Sequence, residues 1–287
     1  MRKPSQIRER ARRVTRLEAA RRATESVGAA LLTLRGQRLQ GYEGPGGQLK
    51  TVVDQAAQGW VLAYLRMLFP EDRFLCEERN EDIARRWDTR PGAYWTIDAL
   101  DGTRSFVEGF EGFCVQVAYI EHGQVQLGVV HEPVRRVTYW AETGRGAFRD
   151  GPGRRRRRLM LKPSNAWPTH PVFVDSRPPH GAVRDLVVEA AGRILECGSI
   201  GLKICRVADG TAHVFAKALA FGLWDVAPGD LILGEAGGRL GVWTGDAIPY
   251  DAQHVVFHNL LAAPRGLFQR LVKHLAHASA AKESVTC

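Results

Sequence analysis

The chain has 287 residues, of which 45% are hydrophobic, 25% charged and 8% aromatic, and 40 Lys and Arg against 31 Asp and Glu give a formal charge of +9. These proportions are typical of a globular protein and exclude collagen, coiled coil and wholesale disorder. The best candidate for a membrane span, His213 to Gly229, is broken by Lys217, Asp225 and Pro228, so a spanning helix is not expected.

The first half of the chain is predicted to begin with helices and to continue as a sheet. Apolar residues at helical spacing predict one long helix or two abutting helices over Ile7 to Leu34, and another helix over Thr51 to Phe69. A short helix is predicted at Thr103 to Phe110, and strands at Arg73 to Cys76, Ala93 to Ile97, Cys114 to Ile120, Val125 to His131 and Val137 to Ala141. The Gly- and Arg-rich piece from Gly144 to Arg157 is predicted to be an exposed turn between strands.

The pattern changes after the loop-rich stretch from Pro163 to Pro179. Helices are predicted at Ala182 to Ala191, Ile200 to Ala208, Trp224 to Ala236 and Gly266 to His277, with short strands near Ile194, His213 and Val255. This alternation indicates an α/β second lobe. We therefore divide the chain into an N-terminal α+β lobe, residues 1–165, and a C-terminal α/β lobe, residues 166–287.

Cysteine usage and charge indicate the compartment and the kind of partner. Five cysteines without a CxxC pair or zinc-type spacing predict reduced thiols in a cytoplasmic protein. The N-terminus lacks the compact apolar segment of a secretory signal, and no membrane partner is expected. Positive charge collects near the N-terminus and in the run Arg154 to Arg158, and such patches attract either nucleic acid or small anionic substrates.

The segment from Trp95 to Phe106 concentrates the chemistry. Asp98 and Asp101 lie three residues apart at the end of a buried strand, where an open α/β sheet places its ligands. Gly102 lets the backbone approach a ligand closely, and Thr103 starts a helix whose free N–H groups suit a phosphate oxygen. These residues predict a site for metal and phosphate. The alternative is that both aspartates form an ordinary turn and N-cap.

Six separated motifs agree with a metal and phosphate site. In chain order they are Thr51-Val52-Val53-Asp54, Glu77-Glu78, Trp95 to Phe106, Gly198-Ser199 with Gly201-Leu202-Lys203, Leu223 to Ala227, and Glu235-Ala236-Gly237-Gly238. With these motifs the chain resembles the inositol monophosphatase family of magnesium-dependent, lithium-sensitive phosphatases. The resemblance implies an α/β (α+β) fold, a layered αβαβα sandwich of the inositol monophosphatase and sugar phosphatase type. Family members are commonly dimers, so it also implies a homodimer.

The resemblance also assigns roles to single residues. It implies that two or three Mg²⁺ are bound by Glu77, Asp98, Asp101, Asp225 and the main-chain carbonyl of Leu100. Gly102 and Thr103 would hold the phosphate through main-chain N–H groups, and Thr103 with Asp54 would orient a water near Glu77. The implied reaction is phosphomonoester hydrolysis of a small phosphorylated substrate by metal-activated water.

Three departures from the family pattern bear on the substrate. Ala99 stands where the signature usually has proline, and Arg104 adds a cation that either binds a second anionic group or faces solvent. Inositol-specific enzymes place an acidic residue shortly before the Trp-Asp motif, whereas Phe215 to Leu223 contains none. Inositol selectivity is therefore not expected.

The motif around Lys203 is closer to the 3'(2'),5'-bisphosphate nucleotidase branch, which dephosphorylates 3'-phosphoadenosine 5'-phosphate. Lys203 and Lys217 would then bind the second phosphate, although a helical lysine is more often a solvated surface residue. The alternatives are an inositol monophosphatase or related sugar-phosphate phosphatase and, from a different class, a non-catalytic nucleic-acid-binding protein. The arginine run has no interleaved aromatic residues that could stack on bases, so a nucleic-acid partner is not expected.

Overall fold

The structure is a computed structural model that describes residues 14–35, 37, 41–43, 49–78, 92–162, 167–176, 178–251 and 253–283. The helices in these residues are α1 (Arg16–Leu34), α2 (Val52–Leu68), α3 (Thr103–Val107), α4 (Gly181–Glu189), α5 (Ile200–Ala208), α6 (Leu223–Glu235) and α7 (Arg265–Glu283). The strands of the first half are β1 (Gly41–Glu43), β2 (Leu49–Thr51), β3 (Arg73–Cys76), β4 (Tyr94–Asp101), β5 (Cys114–Glu121), β6 (Gln124–Glu132), β7 (Val137–Glu142), β8 (Gly146–Asp150) and β9 (Arg156–Leu159). Those of the second half are β10 (Val172–Asp175), β11 (Arg193–Glu196), β12 (Phe215–Lys217), β13 (Phe221–Gly222), β14 (Gly238–Val242), β15 (Val256–Phe257) and β16 (Leu260–Pro264).

A seven-stranded sheet with the order β3-β4-β5-β6-β7-β8-β9 forms the first sheet layer. β3 and β4 run parallel, and the remaining neighbours are antiparallel. Apolar side chains alternate between the two faces of each strand, so both faces are buried. Trp95, Ile97 and Val117 pack with α1 and α2 on one face, whereas Ala118 and Ile120 pack with α5 and α6 on the other.

A second sheet lies beyond α5 and α6. Its three strands have the order β12-β16-β14, and the parallel pair β10 and β11 extends this layer through a bridge from Phe173 to Val214. Leu240 on the inner face joins the core formed with α5 and α6, and Leu261 on the outer face packs against Leu186 of α4 and Phe268 of α7. The layer order is therefore helix, sheet, helix, sheet, helix, which confirms the predicted αβαβα sandwich.

Most predicted elements are confirmed to within a few residues. The structure has α5 at the predicted Ile200–Ala208, β3 at Arg73–Cys76, and a hairpin of β5 and β6. Residues 7–13 of the predicted N-terminal helix and residues 163–166 around the predicted lobe boundary lie outside the described residues. One core draws side chains from both sides of that boundary, among them Ala118 and Ile204, and the division into lobes stays a prediction.

The structure corrects one prediction. The arginine run is not simply an exposed turn, because Arg156–Leu159 forms β9 at the edge of the large sheet. Arginines suit this position, since charged side chains discourage pairing at a free edge, and Arg156 also stacks over Trp140 at 4.9 Å. In α2, Trp60 continues the helical apolar pattern but is 62% exposed. None of the described helices combines the length and the apolar character needed to span a bilayer.

Candidate metal centre

Strand β4 ends in a sharp turn that starts α3. All eight residues of β4 are buried, and its pairing with β5 shifts register between Asp98 and Asp101. Gly102 follows with a φ of +95° and caps the five-residue helix α3. A Cβ at this position would lie 2.7 Å from the carbonyl oxygen of Gly112, so both the conformation and the space require glycine.

Three carboxylates from three elements converge at this turn. Glu77 follows β3, Asp98 lies in β4 and Asp225 lies in the first turn of α6, and each offers an oxygen within 4.8 Å of the other two. We call these three residues the carboxylate cluster. The Oδ1 atom of Asp98 accepts a bond from the main-chain N–H of Leu100 at 3.1 Å, whereas its buried Oδ2 has no hydrogen-bond partner among the described residues.

The cluster fits a divalent cation. All its donors are carboxylate oxygens, which hard cations such as Mg²⁺ prefer, and a cation would supply the partner that Asp98 Oδ2 lacks. Burial raises the pKa of Asp98 well above its usual value, and the negative charges of Glu77 and Asp101 raise it further. The pKa of Asp225 is raised by the same causes in the same order. A bound cation would remove this repulsion.

Asp101 lies next to the carboxylate cluster but is directed elsewhere. Its carboxylate accepts bonds from Ser199 Oγ at 2.6 Å and from the main-chain N–H groups of Gly201 at 2.8 Å and Ile200 at 3.2 Å. It thus binds the N-terminus of α5, about a hundred residues away in sequence. Asp101 therefore binds main-chain N–H groups at a helix N-terminus, as the turn-and-cap alternative expects, but the helix is α5 and not α3. The predicted role of Asp101 as a metal ligand stays a prediction.

Asp54 and Thr103 form the predicted pair. Asp54 closes a capping box at the start of α2, accepting bonds from the main-chain N–H and the hydroxyl of Thr51, both at 2.7 Å. Thr103 Oγ1 donates to the other carboxylate oxygen of Asp54 at 2.7 Å, and both side chains are buried. Thr103 Oγ1 also lies 3.3 Å from the carbonyl of Leu100. The pair therefore holds a hydroxyl in a fixed orientation at the turn.

Two glutamines that no sequence motif indicates position the acidic residues. Buried Gln116 donates to Asp101 at 3.1 Å and to the main-chain carbonyl of Asp225 at 3.3 Å, which joins β5 to α6. Gln58 of α2 binds the main chain of Glu78 in both directions, donating to its carbonyl at 2.5 Å and accepting from its N–H at 2.8 Å. No local pattern indicates either glutamine, because each makes its contacts across a long sequence separation.

Lys50 is a third residue that no sequence motif indicates. It lies in β2, directly before the Thr51 cap, and its ammonium group forms ion pairs with both Glu77 and Glu78. Burial lowers the pKa of Lys50, but the two carboxylates outweigh burial and raise it overall. Burial raises the pKa of Glu77, and Lys50 opposes that shift. Its sequence neighbours do not indicate this contact, because Glu77 lies 27 residues further along the chain.

The predicted substrate residues lie in different environments. Arg104 is 54% exposed and lies 4.0 Å from Glu108, so both alternatives for this cation stay open. Lys203 is not a solvated surface residue, because it is 3% exposed and its Nζ lies 3.3 Å from Asp175 Oδ1 and 3.1 Å from Ser176 Oγ. Its contact with a substrate stays a prediction.

Comparisons with known proteins show the family of this chain. The family model for the inositol monophosphatase family matches residues 13–281. A fructose-1,6-bisphosphatase/inositol-1-monophosphatase of Thermotoga maritima is 31% identical over 214 residues, which cover 73% of this chain and 77% of the relative. A 3'(2'),5'-bisphosphate nucleotidase CysQ of Buchnera aphidicola is 32% identical over 206 residues, which cover 70% of this chain and 74% of the relative.

The fold agrees as well. A solved structure of an IMPase from Thermotoga maritima has a TM-score of 0.77 and 25% identity, and the match covers 92% of this chain and 98% of that one. The αβαβα layers, the acidic turn after β4 and the matched length point to one conclusion. The chain belongs to the inositol monophosphatase family, whose members are metal-dependent phosphatases that act on small phosphorylated substrates.

Proposed function

We propose that the chain is a Mg²⁺-dependent 3'(2'),5'-bisphosphate nucleotidase that hydrolyses 3'-phosphoadenosine 5'-phosphate. The observation that carries the metal-dependent chemistry is the carboxylate cluster, in which Asp98 Oδ2 has no hydrogen-bond partner in the described part of the chain. Thr103, which closely follows Asp98 in sequence, is hydrogen-bonded to Asp54. We infer that the cluster, with Asp101 and the carbonyl of Leu100, holds two or three Mg²⁺.

The chain's own residues would bind the phosphate and move the proton. When bound, Mg²⁺ supplies Lewis-acid polarisation of the phosphoryl group and lowers the pKa of a coordinated water. The main-chain N–H groups of Gly102 and Thr103 at the start of α3 are suited to a phosphate oxygen. The hydroxyl of Thr103 is hydrogen-bonded to Asp54, so its oxygen lone pairs remain available to accept a proton from the attacking water. Asp54 then accepts the proton that Thr103 releases.

A second cationic position favours a substrate with two phosphates. Lys217 ends β12 in the segment that precedes Asp225, and this segment contains no carboxylate that could bind ring hydroxyls. Burial and the nearby Lys203 lower the pKa of Lys217, whereas Asp225 opposes the shift. The charge of Lys217 close to the acidic site suits an anion beyond the scissile phosphate. The named activity of the Buchnera relative supports the same substrate class.

We also propose a cytoplasmic homodimer. The thiols of Cys76, Cys114, Cys197 and Cys205 are free and buried, which is consistent with a reducing compartment. The dimer follows from the family resemblance, and sedimentation equilibrium of the purified chain would test it.

The experiment is a substrate panel with released phosphate as the readout. Metal-stripped protein is supplied with Mg²⁺ and is then assayed with one substrate at a time. The substrates are the bisphosphate nucleotide, an inositol monophosphate and a sugar phosphate. We expect the highest kcat/KM for the bisphosphate nucleotide. A higher kcat/KM for the inositol or sugar phosphate than for the nucleotide would show that the proposed substrate is wrong. Asp98→Asn should abolish magnesium-dependent release, whereas Asp185→Asn, a matched change at an exposed aspartate in α4, should leave it unchanged.

A further inference from the structure

Lys50 places a covalently attached positive charge at a site where the family chemistry uses bound metal cations. Its side chain is 8% exposed, and those of its partners Glu77 and Glu78 are 16% and 15% exposed. Lys50 Nζ contacts Oε1 of both glutamates. The attraction between such shielded groups is screened less by solvent and salt than that of an exposed ion pair, so its Coulomb component is stronger.

The surrounding backbone holds this ion pair in place. Lys50 pairs with Tyr42 between the antiparallel strands β1 and β2, and the next residue, Thr51, caps α2. On the other side, Gln58 fixes the main chain of Glu78 by two hydrogen bonds. Both ends of the contact are therefore anchored independently of any metal.

Lys50 competes with a metal for one ligand. Glu77 belongs to the carboxylate cluster, and one of its two oxygens contacts the ammonium group. An ion that uses Glu77 must share that carboxylate with a positive charge or displace it, and like charges at this range repel. Glu78 would otherwise offer a further carboxylate beside Glu77 for an additional ion.

We propose that Lys50 is a built-in cation of the active site that takes the place of a divalent ion between Glu77 and Glu78, and so limits how many ions the site binds. This inference rests on the proposed metal chemistry of the same site. Lys50 is a positioning residue in this role, because it contacts metal ligands and not the reacting phosphate.

The test measures metal binding without turnover. Metal-stripped wild type and Lys50→Met are titrated with Mn²⁺, and free Mn²⁺ is followed by electron paramagnetic resonance. We expect Lys50→Met to bind one additional Mn²⁺ per chain, because Glu77 and Glu78 are then free to hold it. Lys50→Arg keeps the charge and should bind like wild type. Lys162→Met removes an exposed lysine and serves as the matched control.

A second variant identifies the acquired ligands. The gain in Lys50→Met should disappear in the double variant Lys50→Met/Glu78→Gln, because Glu78 is the carboxylate that Lys50 withholds from the metal. A thermal melt gives an independent readout: Mn²⁺ should raise the Tm of Lys50→Met by more than it raises that of wild type.

The outcomes separate this inference from the proposed function. Equal Mn²⁺ stoichiometry in folded wild type and Lys50→Met would overturn the role of Lys50 and leave the metal centre intact. Weaker binding in Lys50→Met would also overturn it, because Lys50 would then support the metal site. If neither protein binds Mn²⁺, the metal centre fails and both proposals fall.

Discussion

The hydrogen bond between Thr103 and Asp54 allows a sharp test of the proton path. Thr103→Val keeps the shape of the side chain and removes the hydroxyl that donates to Asp54 at 2.7 Å. Proton transfer by a positioned side chain contributes about 10²–10⁴-fold to a rate, so kcat should fall by that factor. Thr103→Ser restores the hydroxyl and should recover most of the activity. Mn²⁺ affinity should change little in either variant, because neither the hydroxyl nor Asp54 belongs to the carboxylate cluster.

The same hydrogen bond sets the expected stability and the coupling. Asp54 keeps its two bonds from Thr51 in Thr103→Val, so the lost charge-assisted bond should cost about 1–3 kcal/mol in the free energy of unfolding. If Thr103 and Asp54 act as one unit, Thr103→Val and Asp54→Asn each lower kcat and the double variant lowers it little further. Multiplicative losses, or a Thr103→Val enzyme within about threefold of Thr103→Ser, would refute the proton path.

Two further predictions concern stability. Because the carboxyl groups of the cluster have raised pKa values in the folded state, the folded chain binds more protons than the unfolded chain, and metal-free stability falls as pH rises above the ordinary carboxyl range near about 4. Chemical denaturation in EDTA should therefore show that the free energy of unfolding falls less between about pH 4 and 8 in Asp98→Asn than in wild type. An equal dependence on pH in the two proteins would contradict the repulsion. A Cβ at Gly128 would lie 2.6 Å from the carbonyl oxygen of Pro228, so Gly128→Ala should cost about 1–3 kcal/mol and lower the Tm. At the exposed Gly59 of α2 an added Cβ meets no atom within 4 Å, so Gly59→Ala should raise the Tm slightly. Equal Tm shifts for Gly128→Ala and Gly59→Ala would refute the packing argument.

Local pattern was sufficient for much of this fold. The apolar spacing of α5 and the hairpin of β5 and β6 depend on neighbours in sequence, and both lie where the pattern predicts them. The acidic residues Glu77, Asp98 and Asp225 were also predicted from motifs, and the structure brings them together. For α5 and the hairpin the immediate sequence context carries the signal, whereas the roles of Glu77 and Asp225 follow from the family resemblance.

Long-range polar contacts could not be predicted in the same way. The sequence indicates that Asp101 belongs to the acidic turn, but only the packed fold brings its carboxylate to the N-terminus of α5. Lys50 and Gln58 resemble ordinary residues of a strand and a helix until the loop after β3 folds against them. The exposure of Trp60 is another tertiary result, since helical spacing predicts a face but not what covers it.

The contacts around the carboxylate cluster explain how repelling acids are held in place before a metal arrives. Gln116 joins Asp101 to the carbonyl of Asp225, and Asp101 in turn binds the start of α5, so β4, β5, α5 and α6 are fixed to one another by polar groups that are not cluster carboxylates. Electrostatic repulsion in the cluster is then opposed by the rigidity of this frame. A cation entering the frame gains the attraction of closely placed carboxylates without the cost of first bringing them together, which is the physical meaning of a preorganised site. The stability lost in the metal-free chain and the affinity gained for the metal therefore have the same origin.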